Sequence, residues 1–190
     1  MFDRTAFDRL AGHWVYGGTL AAFLLLAFAP LAGAGRPLAF WLAYLSLPTY
    51  MLHQYDEHDG DRFRRFVNAL MGGEALSLVD VFWINILGVW VVLAVTIWLT
   101  AVAPGWALLA GWLLVVNGLA HLGQALATRQ SNPGLVTALL LLLPLGLGAL
   151  VVAWPQAGPL PLLLAPLLAL AVHAAVLLRV RANLGRMRGE

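Results

Sequence analysis

Six apolar runs of about twenty residues follow one another along this chain, and they limit its possible folds more than any other feature. The runs cover roughly residues 16–32, 38–55, 79–103, 106–127, 135–153 and 162–180. Each is long enough to cross a hydrocarbon layer as a helix, which takes about 20 residues. A water-soluble domain would need polar surface that this chain lacks. Of its 190 residues 62% are hydrophobic and only 11% charged, against about a quarter charged in ordinary soluble domains. The mean hydropathy is +0.84. The expected fold is therefore all-α: a polytopic membrane helical bundle of about six transmembrane helices, forming one integral membrane domain over residues 1–190. The Ala32-Gly33-Ala34 sequence resembles a signal-peptidase site, but we expect the first run to be retained as a transmembrane helix.

The connections carry the remaining signals. Arg36-Pro37, Pro104-Gly105, Ser131-Asn132-Pro133-Gly134 and the Pro-rich segment 154–161 mark turns, and Ser131 or Asn132 is the expected N-cap of the fifth span. Pro48 is expected to kink the second span. The longest polar connection is 59–80. Within it Phe63, Phe66, Val67, Leu70 and Met71 recur at helical spacing, while Arg62, Arg64, Arg65 and Asn68 fall elsewhere on the wheel. That pattern predicts an amphipathic helix over 62–71, lying on the membrane surface with its arginines near lipid phosphates, and ended by Gly72-Gly73.

All eleven basic residues are arginines. Six spans place ten of them on one side and leave only Arg36 on the other. The positive-inside rule then puts both termini of a multi-pass protein in the cytoplasm. The pI near 9.5 reflects this topology signal, and no nucleic-acid partner is expected. The absence of cysteine excludes disulfide partners and thiolate metal sites.

The same topology gathers the histidines. His13, His53, His58, His121 and His173 all fall in the half nearest the arginines. His121 lies about 12 Å along its helix from Arg129, and His173 about 9 Å from Arg179, at about 1.5 Å per residue. His53, Asp56 and Glu57 stand at i, i+3 and i+4, on one face at the end of the second span. Ionisable groups inside spans are costly and usually meet each other or a cavity. Convergence of His53, Glu57, His121 and His173 would give a site with nitrogen and oxygen ligands for a divalent metal. Zinc suits it best and iron remains an alternative. Asp56 or Glu57, whichever is not a ligand, would serve as general base on a water. Asn85, Asn117, Arg129, Arg62 and Arg65 are the candidate substrate contacts, the arginines for an anionic head group.

Around His53-Gln54-Tyr55-Asp56-Glu57 the chain resembles the HXXEE family of small bacterial membrane proteins. The resemblance continues through Phe66-Val67-Asn68, Ile84-Asn85-Ile86, Asn117-Gly118-Leu119-Ala120-His121 and Pro133-Gly134-Leu135-Val136-Thr137 with Pro144. Where that family has Glu-Glu, this chain has Asp56-Glu57. The resemblance implies a membrane enzyme without naming a reaction.

Three functions are compatible with these residues. The first is a metal-dependent, hydrolase-like membrane enzyme acting on a lipid or other hydrophobic substrate at the cytoplasmic leaflet. The second is a di-iron oxidoreductase drawing in Glu74 and Asp80, or a proton or metal-ion transporter using the same residues. The third is an assembly subunit. A transporter needs a polar path through the outer half, where Thr19, Thr96 and Thr100 are about all the sequence offers.

Overall fold

A computed structural model of the chain describes residues 4–189, and among these there are helices and turns but no strand. Seven helical rods follow in order: α1 (Arg4–Ala32), α2 (Leu38–His58), α3 (Arg62–Met71), α4 (Leu78–Val102), α5 (Pro104–Thr128), α6 (Leu135–Gln156) and α7 (Pro159–Arg188). The all-α bundle expected from the apolar runs is what the chain forms.

Five rods are long and apolar enough to cross a membrane: the greater part of α1 and α7, and α4, α5 and α6. The sixth expected span, α2, is equally a long helix but does not share their hydropathy. Its residues from Tyr50 onward are largely polar. It can afford this because it lies inside the bundle, with Ala39, Ala43, Ser46, Pro48, His53 and Gln54 fully buried. The helix continues through Pro48. The outer rods instead expose apolar side chains such as Leu20, Trp98, Leu140 and Val151, as expected for a lipid-facing surface.

Small residues set the close packing around α2. Ala39 and Ala43 share a core cluster with Leu93 of α4 and Leu108, Leu113 and Leu114 of α5. Between α5 and α6 the approach is closer. A side chain on Gly111 would meet Leu150 and the Gly146 carbonyl, and one on Gly146 would meet Leu114 and the Gly111 carbonyl. Small residues facing each other in this way let helix backbones approach without a hydrophobic driving force.

The amphipathic helix over 62–71 forms with the expected bounds and ends at Gly72, whose φ of 69° suits glycine. Val67 is buried against a second core cluster with Trp14, Leu76 and Phe82. Asn68 fixes the following loop through a pair of hydrogen bonds, receiving one from the Leu76 N–H and donating one to its carbonyl. Arg64 donates twice to the Asp61 carboxylate, and this bonding holds its guanidinium above its ordinary pKa.

The last helix runs further than the expected 162–180, since its arginine-rich end stays helical to Arg188. The end of this helix, on both sides of residue 180, docks on the start of α4 and the loop before it. Arg179 donates to Asp80 at 2.6 Å, and Asn183 donates to Asp80 and to the Ala75 carbonyl. Asp80 also closes a capping box with Ser77 at the N-terminus of α4.

Candidate metal centre

The last two turns of α2 project His53 and Glu57 from one face, as their i, i+4 spacing requires. The partner comes from α5, where His121 stands opposite. One ligand atom each from His53, Glu57 and His121 lie within 4.8 Å of one another, and all three residues are buried. The His53 Nε2 atom is 3.6 Å from one Glu57 oxygen, and the His121 Nε2 is 3.5 Å from the other. These separations are too long for charge-assisted hydrogen bonds, which run about 2.7–2.9 Å. They match neighbouring ligands of a shared ion instead: two atoms each about 2.1 Å from one tetrahedral ion stand about 3.4 Å apart. Nε2 of His53 is also buried with no hydrogen-bond partner.

Hydrogen bonds behind the triad fix which nitrogens face inward. The Thr137 hydroxyl has one hydrogen, and it is spent on acceptors: Asp56 Oδ2 at 2.9 Å and the Gly134 carbonyl at 3.1 Å. The contact of 2.9 Å between His53 Nδ1 and Thr137 Oγ1 must then be a bond donated by the imidazole. At His121 the Asn132 amide makes two bonds. Its Nδ2 donates to the His121 carbonyl, which leaves Oδ1 to accept from Nδ1–H at 2.8 Å. Both rings therefore carry hydrogen on Nδ1 and aim Nε2, the atom left to ligate an ion, at Glu57. The outer hydrogen bond of a metal-ligating histidine sets its tautomer in the same way. Glu57 has such a partner too, in His58, whose Nε2 lies 3.1 Å from Oε2.

The backbone between α5 and α6 is shaped around this arrangement. Gly134 takes φ 85°, and a Cβ there would stand 2.9 Å from His53 Cε1 and 3.0 Å from His121 Cε1. Neither Ser131 nor Asn132 caps α6, contrary to expectation. Asn132 is turned to His121, and the helix starts from Gly134 with no side-chain cap. Just past Thr137 the helix widens into a π-helical segment, Ala138–Leu142, and α4 does the same at Ile86–Val91, just past Asn85. Such π-bulges re-aim side chains and recur at functional sites.

A buried polar chain braces α2 from the other side. Trp90 Nε1 donates to Gln54 Oε1, and Gln54 Nε2 donates to Asn85 Oδ1, each at 2.6 Å. Asn85 Nδ2 closes onto the Val81 carbonyl.

Other candidate residues fall at differing distances from the triad. Asp56 is partly exposed and reaches His53 only through Thr137, so it lies outside the group of converging ligand atoms. His173 also lies outside that group; it borders the same cavity as Glu57 and His121, with Nδ1 donating to the Ala169 carbonyl. Asn117 donates to the Tyr50 hydroxyl on the cavity wall. Arg62 donates to the Asp56 carbonyl of α2 and Arg65 to the Gly60 carbonyl just beyond it, and both border a separate, open cleft with Asp56 and Asn132. Arg129 ends α5 in a left-handed conformation and borders neither space. His13 is exposed on α1. Glu74 is exposed, and Asp80 is committed to Ser77, Arg179 and Asn183, so neither supplies carboxylates to the triad.

Sequence reasoning missed Gln54, Thr137, Asn132 and Gly134. Gln54 lies inside the His53–Glu57 stretch, and Gly134 and Thr137 lie inside the Pro-Gly-x-x-Thr stretch, so their positions were visible while their roles were not.

Fold and site together define an all-α bundle with five helices long and apolar enough to cross a membrane and a buried His/Glu group able to hold a metal ion. Residues 44–149 match the family described as "Protein of unknown function with HXXEE motif". This covers more than half of the chain, which belongs to that family. No curated protein and no solved structure matches it.

Proposed function

We propose that this protein is a metal-dependent integral membrane enzyme acting on a lipid or other hydrophobic substrate, with both termini on the cytoplasmic face of the bacterial inner membrane. The observation that carries this reading is the convergence of two imidazole Nε2 atoms on one carboxylate, each ring held by its own outer partner. Three nitrogen and oxygen ligands leave a fourth position open, as catalytic rather than structural zinc sites do. A bound ion would supply Lewis acidity there. His53, Glu57 and His121 would hold it, and Thr137, Asn132 and His58 would keep them oriented. Asp56, at the edge of the open cleft, accepts from the Thr137 hydroxyl and would help hold that hydroxyl as the acceptor for His53 Nδ1–H. Arg62 and Arg65 border that cleft and suit an anionic group at its mouth.

A transport role is less well supported. Thr19, Thr96 and Thr100 each spend their hydroxyl on a carbonyl of their own helix, so these three groups do not form a polar relay.

The test is to reconstitute the protein in vesicles of bacterial lipid extract and compare lipid species by mass spectrometry, with and without zinc. A metal-dependent change that His121→Ala abolishes supports the reading. Metal-loaded protein that alters no lipid-soluble species would overturn it.

A further inference from the structure

Beside the triad lies a partly open cavity of about 370 Å³, bordered by α2, α3, α4, α5 and α7. Glu57 and His121 border it, and much of the remaining wall is apolar, with Phe63, Val67 and Met71 from α3 and Val172, Val176 and Val180 from α7. At about 30 Å³ for each water-sized unit, this space takes about a dozen such units in line. That is the bulk of one hydrocarbon chain and too little for two.

The wall also limits the charge of the occupant. No arginine borders the cavity: Arg62 and Arg65 border the separate cleft, and Arg179 is turned to Asp80. A phosphate head group would find no cation there. The polar groups available besides the triad are neutral hydrogen-bonding ones. Tyr50 accepts from Asn117 Nδ2, while its own hydroxyl hydrogen has no acceptor among the described residues. Asn117 Oδ1 is buried without a partner. The His173 ring spends Nδ1–H on Ala169, which leaves Nε2 as an acceptor. Buried polar groups left unpaired cost stability unless a ligand satisfies them.

We propose that this cavity binds a single hydrocarbon chain ending in a neutral hydroxyl, which can both donate and accept, with its oxygen at the Glu57–His121 end and its tail against α3 and α7. The proposal rests on the enzyme reading for its chemistry, but not for its binding. The second chain and charged head group of a phospholipid would find neither room nor a cation inside the cavity, so the occupant it fits is a one-chain amphiphile drawn from the membrane.

The test uses the full-length protein in detergent and a diazirine-bearing saturated alcohol of about twelve carbons, the length the cavity volume sets. Adducts are located by mass spectrometry, and metal content is measured on the same samples. The expected result is labelling within 63–71 and 172–180, competed by the unlabelled alcohol. Val176→Phe should reduce it by about tenfold through loss of tail space, whereas Val176→Ala should retain it, both with unchanged metal content. Labelling confined to outward residues such as Leu20 or Val151, or insensitive to Val176→Phe, would overturn the proposal. Equal labelling of the cavity by a diazirine phosphatidylglycerol would overturn it too. Cavity labelling in protein that binds no metal would leave the chain-binding proposal standing and remove the metal reading, while metal without cavity labelling would do the reverse.

Discussion

Replacing Thr137 by valine tests the most economical part of the site, because it removes one hydroxyl and keeps the side chain's shape. In the wild-type protein that hydroxyl accepts from His53 Nδ1–H and donates to Asp56. Without it the fully buried His53 ring has no acceptor for its Nδ1–H. An unpaired buried donor costs about 1–3 kcal/mol, and the ring can relieve that cost only by turning or changing tautomer. Either response takes Nε2 away from Glu57. Loss of an outer partner of a metal-ligating histidine typically lowers affinity about 10–100-fold, or about 1.4–2.8 kcal/mol, so the two magnitudes agree. The assay is competition for zinc against a chelator in detergent, on wild type, Thr137→Val and Thr137→Ser. Serine keeps the hydroxyl and should stay close to wild type. Wild-type affinity in the valine variant would refute the argument that Thr137 sets the His53 tautomer.

Further expectations follow from neighbouring contacts. Gly134→Ala places a methyl against both imidazole rings at a backbone φ of 85°; zinc binding should fall by more than in Thr137→Val, read by the same competition. Gly146→Ala brings a methyl against Leu114 and the Gly111 carbonyl and should destabilise the α5–α6 contact by about 1–3 kcal/mol without altering zinc affinity, seen as a lower thermal midpoint. Asn68→Ala removes both hydrogen bonds to Leu76 and should loosen the loop after α3, accelerating amide exchange at residues 72–77. Protons compete with the ion for the two imidazoles, so zinc affinity should fall as the pH is lowered from about 7 to about 4. A flat profile across that range would count against histidine ligation.

Much of this architecture was legible because burial in a bundle leaves periodic and compositional traces. The apolar runs announced the long rods, and the spacing of Phe63, Val67 and Met71 gave α3 to the residue. The His53–Glu57 pair was readable because i, i+4 geometry is local. Pairing with His121 rested on depth along two helices, which the arginine distribution supplied. The polarity of α2 was harder to interpret, because hydropathy alone does not distinguish a lipid-facing helix from one wrapped by others. The outer hydrogen bonds were not legible at all. Thr137 and Asn132 act across gaps of 84 and 11 residues from their imidazoles, and no periodicity encodes such contacts. Asn132 looked like a helix cap because Asn before Pro-Gly usually is one, yet a buried imidazole N–H competed for the same amide oxygen.

The central claim is that His53, Glu57 and His121 hold one metal ion between them. X-ray absorption at the metal edge of the zinc-loaded, full-length protein tests this directly. The account predicts one ion per chain with two imidazole nitrogens and carboxylate oxygen at about 2.0–2.2 Å, the imidazole signal being lost in a His53→Ala/His121→Ala variant. A chain that takes up no stoichiometric ion, or whose bound ion keeps its imidazole signal in that variant, would contradict it.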